Sequence, residues 1–359
     1  MSIRVLVVDD SVFFRTKLQL GLSEDREIKV IAVASGPDDA IRKIEDLRPD
    51  VITLDVEMPE MNGIDFIKKI LPSYPLPIVV VSSTPMSSLD ALMAGAVDFV
   101  KKPETKEEAS GAFMERLRTI VKGAATAKVR VRTAPSAKAE GDKPPEKELP
   151  SLASIIASSV KLREGDDTVI AIGASTGGTE AIISVVRNLP PTTPGIVIVQ
   201  HMPANFTTLY AERLNKICKM SAKEAADGDR IVTGRIIVAA GNFHLTVDKD
   251  SSGFFIHSKE GERVSGHCPS VDVLFDSVAN KAGKNAIGVI LTGMGSDGAA
   301  GITKMRQQGA FTIGQDKESC VVYGMPMEAY NMGGIVRQLP LENIGSEILY
   351  QLQKKSASK

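Results

Sequence analysis

Three side chains in the C-terminal half are of the types needed for acyl transfer. They are Ser175 in Gly173-Ala-Ser-Thr-Gly177, His201 in Gln200-His-Met-Pro203 and Asp297 in Gly293-Met-Gly-Ser-Asp-Gly298. A serine hydroxyl attacks a carbonyl when an imidazole takes its proton, and a carboxylate orients that imidazole and stabilises it once charged. A second group, in the N-terminal third, combines Asp9, Asp10 and Asp55 with Ser82 and Lys102. Crowded carboxylates repel unless a cation neutralises them, and hard oxygen ligands suit Mg²⁺. A lysine beside them is suited to pair with a phosphoryl oxygen.

Each residue taken alone has a plainer reading. Asp at a strand end is common turn chemistry. The small-residue setting of Ser175 fits a helix N-cap better than a nucleophile, and a lone histidine is usually a hydrogen-bonded structural residue. The joint placement depends on the elements that carry these residues. From Ile3 to Val121, short apolar runs alternate with helical patterns: Arg4–Val8, Ile28–Ala34, Val51–Leu54, Pro77–Val81 and Val97–Val100 read as strands. Five strands with helices between them predict a doubly wound α/β unit on a parallel sheet, whose functional groups gather beyond the carboxyl ends of the strands. Asp9 and Asp10, Asp55, Ser82 and Lys102 all follow such ends.

A second α/β series starts at Thr168. Thr168–Ile172, Gly195–Val199 and Ala286–Leu291 read as buried strands, each followed by a turn and a helical pattern, and they lead into Ser175, His201 and Asp297 in turn. Arg235–Ala239, Phe243–Val247 and Gly253–His257, which have no helices between them, read as a small antiparallel insertion. Between the two series, Gly123–Pro150 is rich in Ala, Pro, Lys and Glu and has no aromatic residue, as in a linker. Ser154–Val160 has helical character but is too short to stand alone. The expected organisation is a domain over 1–121, a linker over 122–166, a second mainly parallel α/β domain over 167–350 and a tail over 351–359.

The loop bearing Asp297 also matches the dinucleotide fingerprint: Gly293, Gly295 and Gly298 lie between a strand and a helix, and Asp316 follows the next strand. Two features oppose that reading. The loop comes late in its domain, and Asp297 would face and repel a pyrophosphate.

The whole chain, 359 residues and 43% hydrophobic, is long enough for two or three packed domains. Its 43 Lys and Arg almost balance 44 Asp and Glu, so nucleic acid is not an expected partner. Cys218, Cys268 and Cys320 are widely spaced and form neither a disulfide framework nor a zinc site. With no signal peptide and no apolar run of the ~18 residues that span a membrane, a cytoplasmic enzyme without membrane insertion, a monomer, is expected.

Val-Val-Asp9-Asp10-Ser, Thr-Leu-Asp55-Val-Glu-Met-Pro-Glu-Met-Asn-Gly63, Val-Ser82-Ser and Val-Lys101-Lys102-Pro103 resemble the receiver domain of two-component response regulators. The resemblance implies that Asp55 accepts a phosphoryl group from a histidine kinase. It also implies that Asp9, Asp10, Asp55 and the backbone carbonyl of Glu57 hold Mg²⁺, that Lys102 contacts the phosphoryl group and that Ser82 responds to it.

Further on, Ile-Gly-Ala-Ser175-Thr-Gly-Gly-Thr-Glu-Ala, Val-Gln-His201-Met-Pro, Ala-Gly-Asn-Phe-His244-Leu, Pro-Ser-Val-Asp272-Val-Leu-Phe, Leu-Thr-Gly-Met294-Gly-Ser-Asp297-Gly and Cys320-Val-Val-Tyr-Gly-Met-Pro326 recur in order. They resemble the catalytic domain of chemotaxis methylesterases, the CheB family. The resemblance implies hydrolysis of glutamate γ-methyl esters on chemoreceptor cytoplasmic helices, with deamidation of receptor glutamines and no cofactor in the catalytic domain. Ser175, His201 and Asp297 fall on its triad, and Thr176 and Met294 on positions that support the histidine and the oxyanion region. The chain departs from the family at Cys268, where an arginine is common, and at Ala240, where a proline is. A small loop or buried cysteine is the plainer reading of Cys268. Fusing a switch to an enzyme leads to the expectation that the unphosphorylated receiver packs over the catalytic cleft and that phosphorylation loosens it.

Overall fold

The structure, a computed structural model, describes residues 2–59, 61–103, 111–129 and 167–357. The chain divides into two compact units, Met1–Ala134 and Pro135–Lys359.

The first unit alternates β1 (Ile3–Val8), α1 (Val12–Ser23), β2 (Ile28–Ala34), α2 (Pro37–Leu47), β3 (Val51–Leu54), α3 (Gly63–Ile70), β4 (Ile78–Ser82), α4 (Pro85–Ala94), β5 (Asp98–Lys101) and α5 (Ala112–Ala125). Its five strands pair in the order β2-β1-β3-β4-β5, all parallel. The central strands are apolar and buried along their whole length, as a sheet covered on both faces requires. Helix starts follow local chemistry: Ser11 caps α1 by accepting from the Phe14 amide, and Asn62 caps α3 by accepting from the Ile64 amide.

Helix α5 continues past the predicted boundary at 121. Residues 122–125, assigned to the linker by composition, are helical because Ala124 is buried and Lys122 pairs with Asp25 and Glu27. The remainder of the predicted linker from 130 to 166, with the Ser154–Val160 pattern, lies outside the described residues.

The second unit contains β6 (Val169–Ala174), α6 (Gly178–Val186), β7 (Ile196–Gln200), α7 (Phe206–Ile217), β8 (Ser221–Glu224), β9 (Arg235–Val238), β10 (Phe243–Asp250), β11 (Gly253–Glu260), α8 (Val271–Lys281), β12 (Ala286–Ile290), α9 (Ala299–Gln307), β13 (Phe311–Gln315), α10 (Met325–Asn331), β14 (Arg337–Leu339) and α11 (Leu341–Ala357). A parallel sheet runs β14-β13-β12-β6-β7-β9-β8, and β10 and β11 form a separate antiparallel pair.

Two expectations change here. Arg235–Ala239 is not part of the antiparallel insertion: β9 lies parallel between β7 and β8, and its buried Ile236, Ile237 and Val238 are the unbroken apolar run of an interior strand. Residues 351–357 are not a loose tail but the last turns of α11, where Leu352 is fully buried and Gln351 donates to Glu347.

Candidate active site and acidic pocket

Strands β12, β6 and β7 are adjacent in the second sheet, so their carboxyl ends deliver Asp297, Ser175 and His201 to one edge. Ser175 sits on the tight turn between β6 and α6. Gly177, at φ +75, forms the cap of α6, a conformation in which a side chain would be strained. The serine backbone is tied on both sides: its amide donates to the Thr292 carbonyl at 3.0 Å, and its carbonyl accepts from Gln200 Nε2 at 2.9 Å. Gly293 has to be glycine for a different reason, close approach, since an added Cβ there would lie 2.8 Å from Ser175 Cβ.

The loop after β12 is fixed by Thr292. Its hydroxyl shares one proton between the carbonyls of Thr176 and Val322, at 3.0 and 3.1 Å, and accepts from the Val322 amide, joining the Ser175 turn to the Cys320–Pro326 segment. The Gly293 carbonyl accepts from the amides of Gly324 and Met325. Thr176 is buried behind Ser175, and Met294 is half-buried in this pinned loop.

His201 bonds through Nε2 to Asp297 Oδ2 at 2.7 Å, and its buried Nδ1 has no hydrogen-bond partner. The rest of the Asp297 carboxylate is met by the start of α8. Ser270 Oγ donates at 2.7 Å, the Val271 amide at 2.8 Å and the Asp272 amide at 3.0 Å, so the anion sits where a helix N-terminus favours negative charge. Burial alone would raise the Asp297 carboxyl. Its bond to His201, the charge of that ring, Ser270 and the Asp272 amide outweigh burial and hold it at about 2.

Asp272, by contrast, is pushed up by burial and by the charge of Asp297, against the bond it accepts from the Gly301 amide at 2.7 Å. That bond also answers the dinucleotide reading. The N-terminal amides of α9, where a pyrophosphate would sit, face the Asp272 carboxylate, and Asp297 inside the loop is committed to His201 and α8.

In the first unit, Asp9, Asp10 and Asp55 bring carboxylate oxygens within 4.8 Å of one another. Lys102 Nζ lies 2.7 Å from Asp9 Oδ2 and 2.5 Å from Asp55 Oδ2, over the Phe14 ring. Burial pushes the Asp55 carboxyl up further than Lys102 and the Glu57 amide pull it down. For Lys102, burial works against the charge, but Asp55 and Asp9 keep its pKa above the usual value. Ser82 is fully buried at the end of β4 and accepts from the Thr84 amide, while the Glu57 side chain accepts from Ser83 and Thr84.

The sequence matches the CheB methylesterase family over residues 170–348 and the response regulator receiver domain over residues 5–113. It is 48% identical over 364 residues, 99% of each chain, to a protein-glutamate methylesterase/protein-glutamine glutaminase of Syntrophotalea carbinolica. The chain belongs to the CheB methylesterase family. A second such relative, from Syntrophomonas wolfei, is 46% identical over 98% of this chain and 97% of its own. The crystal structure of the Thermotoga maritima CheB methylesterase catalytic domain is 36% identical, with a TM-score of 0.50, and covers 51% of this chain and 98% of that one.

Against the sequence expectations, the fold brings His201 and Asp297 into contact, sets Ser175 on the neighbouring strand end and gathers the three N-terminal aspartates with Lys102. Sequence reasoning missed Ser270, the amides of Val271 and Asp272, Gln200 and His267. Ser270 carried a signal, because a serine directly before the apolar Val271-Asp-Val-Leu-Phe run is a helix start. His267 carried none: its ring stacks on that of His201 at 3.6 Å and 8°. Burial raises the Cys268 thiol, which argues against a thiolate nucleophile. Among the described residues no helix is long and apolar enough to cross a membrane.

Proposed function

We propose that this chain hydrolyses glutamate γ-methyl esters on the cytoplasmic helices of chemoreceptors and deamidates receptor glutamines, with Ser175 as nucleophile, under the control of phosphorylation at Asp55. The observation that carries this reading is the His201–Asp297 pair at the strand end beside that of Ser175: Nε2 is held on Asp297, and Nδ1 is the ring nitrogen with no hydrogen-bond partner. The names of the relatives agree with its methylesterase and glutaminase activities.

Ser175 Oγ attacks the ester carbonyl and His201 Nδ1 takes its proton. Collapse of the tetrahedral intermediate expels methoxide, which leaves as methanol with the proton from His201, and the glutamyl group stays on the serine. Water, deprotonated by the same nitrogen, then releases the glutamate carboxylate. With a glutamine the leaving group is ammonia. Asp297 stays ionised throughout, since a carboxyl held near 2 does not take the proton from an imidazolium. Thr176 and Met294 belong to the region that supports the oxyanion, where one well-aimed donor contributes about 3–4 kcal/mol. Methanol release from methylated receptor is the test. Ser175→Ala, folded as judged by circular dichroism, is expected to release none above background, and release at the wild-type rate rules out the serine mechanism.

The acidic pocket supports a receiver role. Three carboxylates offering hard oxygen within 4.8 Å suit Mg²⁺, with Asp9, Asp10, Asp55 and the Glu57 carbonyl as its holders. Bound there, the ion would neutralise charge between the carboxylates and an incoming phosphoryl group. Lys102, already on Asp55, meets the phosphoryl oxygens, and Ser82 responds from the end of the neighbouring strand. The phosphodonor is a histidine kinase, the compartment the cytoplasm, and the active form a monomer. A small-molecule phosphodonor is expected to raise esterase activity of the wild type and leave Asp55→Asn unchanged.

A further inference from the structure

The segment between β11 and α8 is not used by the mechanism above, yet it ends at the catalytic carboxylate. Val264 and His267 exchange both backbone hydrogen bonds, at 3.0 and 2.9 Å, around Ser265 and Gly266, which have φ of +52 and +81. Two central residues with positive φ make the tight turn that reverses a chain in register. The turn fixes His267, and the His267 ring lies flat on His201 at 3.6 Å with the planes 8° apart. Three residues later Ser270 donates to Asp297, so one short strap holds a face of the catalytic imidazole and an oxygen of its carboxylate.

The strap is itself held by one side chain of β10. His244 Nε2 donates to the Glu262 carbonyl at 2.7 Å, and its Nδ1 accepts from the Ser270 amide at 3.3 Å. A carbonyl only accepts and an amide only donates, so the ring presents Nε2–H to Glu262 and the Nδ1 lone pair to Ser270. Gly261 lets it lie close, since a Cβ there would come 2.6 Å from His244 Cδ2. Both ends of the strap therefore converge on one residue, 18 and 26 positions away in sequence.

We propose that His267 is a positioning residue for His201, and that His244 acts through it by latching the strap. The His201 ring has a single anchoring hydrogen bond, to Asp297, which leaves its tilt about that bond to be set by what packs on its faces. Tilting would carry Nδ1 away from the Ser175 hydroxyl. A planar ring stacked on its face sets that tilt without taking up Nδ1. Stacked aromatic pairs contribute about 0.5–1.5 kcal/mol beyond burial, so loss of the stack is expected to slow serine activation by about threefold to tenfold.

The inference rests on the hydrolase reading only in taking His201 as the base for Ser175, and its test does not use a receptor. The rate at which a fluorophosphonate probe labels Ser175 in the full chain reports that activation directly, with Ser175→Ala as the blank. His267→Ala is expected to label about threefold to tenfold more slowly. His267→Phe, which keeps a flat ring, should recover most of the rate, whereas His267→Leu, of similar bulk, should not. His244→Ala should reproduce the His267→Ala rate, and the double variant should be no slower than either, because two residues acting as one unit are not additive. His267→Leu labelling at the wild-type rate, or His267→Phe labelling as slowly as His267→Ala with both melting like the wild type, overturns the proposal. A wild type that labels normally but releases no methanol from methylated receptor fails the substrate reading and leaves the positioning result standing.

Discussion

The two units use the same architectural device, a parallel sheet with its polar groups at the carboxyl edge, and charge it in opposite ways. In the acidic pocket, Asp55 is buried among other carboxylates, with Lys102 as cation; burial wins and its carboxyl is pushed up. At the hydrolase edge, Asp297 is as deeply buried, but two helix-start amides, a serine hydroxyl and an imidazole surround it, and its carboxyl is held at about 2. The Asp55 carboxyl is kept under electrostatic tension. The Asp297 carboxylate is satisfied from every side. The number and type of donors, more than depth of burial, set the difference.

Removing the charge at each edge should therefore have unlike consequences. Asp297→Asn keeps the shape but turns an amide NH₂ toward groups that all donate, and it releases the tautomer of His201. Esterase kcat is expected to fall about 10³–10⁴-fold, as carboxylate-to-amide changes in such triads do. An effect below tenfold would mean that Asp297 is a helix cap and no more. Next in size, Lys102→Met leaves Asp9 and Asp55 facing one another without a cation. It should cost about 3 kcal/mol of receiver stability in chelator-treated protein. Urea unfolding followed by hydrogen exchange checks this, because the catalytic unit should keep its protection while the receiver loses it. Equal loss in both units would contradict the division of labour.

How much of this was visible beforehand depended on whether a signal was local. Asp9, Asp55, Ser175, His201 and Asp297 each follow an apolar run, and an interior parallel strand announces itself by being apolar throughout, so the carboxyl edges were legible. β8, with Ser221-Ala-Lys-Glu, and β14 were not, because edge strands are half exposed and carry polar residues. Composition predicts a tail over 351–359, where Gln, Lys and Ser dominate, yet Leu352 lies on the buried face of a helix, the end of α11. β9 was given the wrong partners since its neighbours in sequence are a hairpin, while its neighbours in space, β7 and β8, are set by the sheet. His267 and Gln200 were silent because nothing local distinguishes a stacking or clamping side chain from any other polar residue.

The pH response should carry the contrast at smaller amplitude. The Asp297 carboxyl, held near 2 in the fold and near 3.9 when unfolded, contributes about 2–3 kcal/mol that is present above pH 4 and lost as pH falls through 2. The difference in unfolding free energy between wild type and Asp297→Asn should then shrink steadily from pH 5 to pH 2. Asp55 has the opposite sign. A carboxyl raised by the fold favours stability while protonated and loses that advantage as pH rises through its folded value, so Asp55→Asn should stabilise the receiver at neutral pH. Destabilisation there would mean that Lys102 more than repays the burial.

The smallest expected effect isolates how Asp297 is satisfied. Ser270 performs two tasks with one hydroxyl: it accepts from the Val273 amide to cap α8 and donates to Asp297 Oδ1. Ser270→Ala removes both and should cost about 1 kcal/mol of stability, the usual price of a lost cap. Asp297 would still hold the amides of Val271 and Asp272 and the His201 ring, so kcat should drop only a few-fold, and Asp297 should remain ionised across the working range. Ser270→Gly separates the tasks, because glycine is tolerated at a cap position and carries no hydroxyl for the carboxylate. If Ser270→Gly recovers stability but keeps the lower kcat, the hydroxyl acts on the catalytic carboxylate. If both recover together, Ser270 does no more than start a helix.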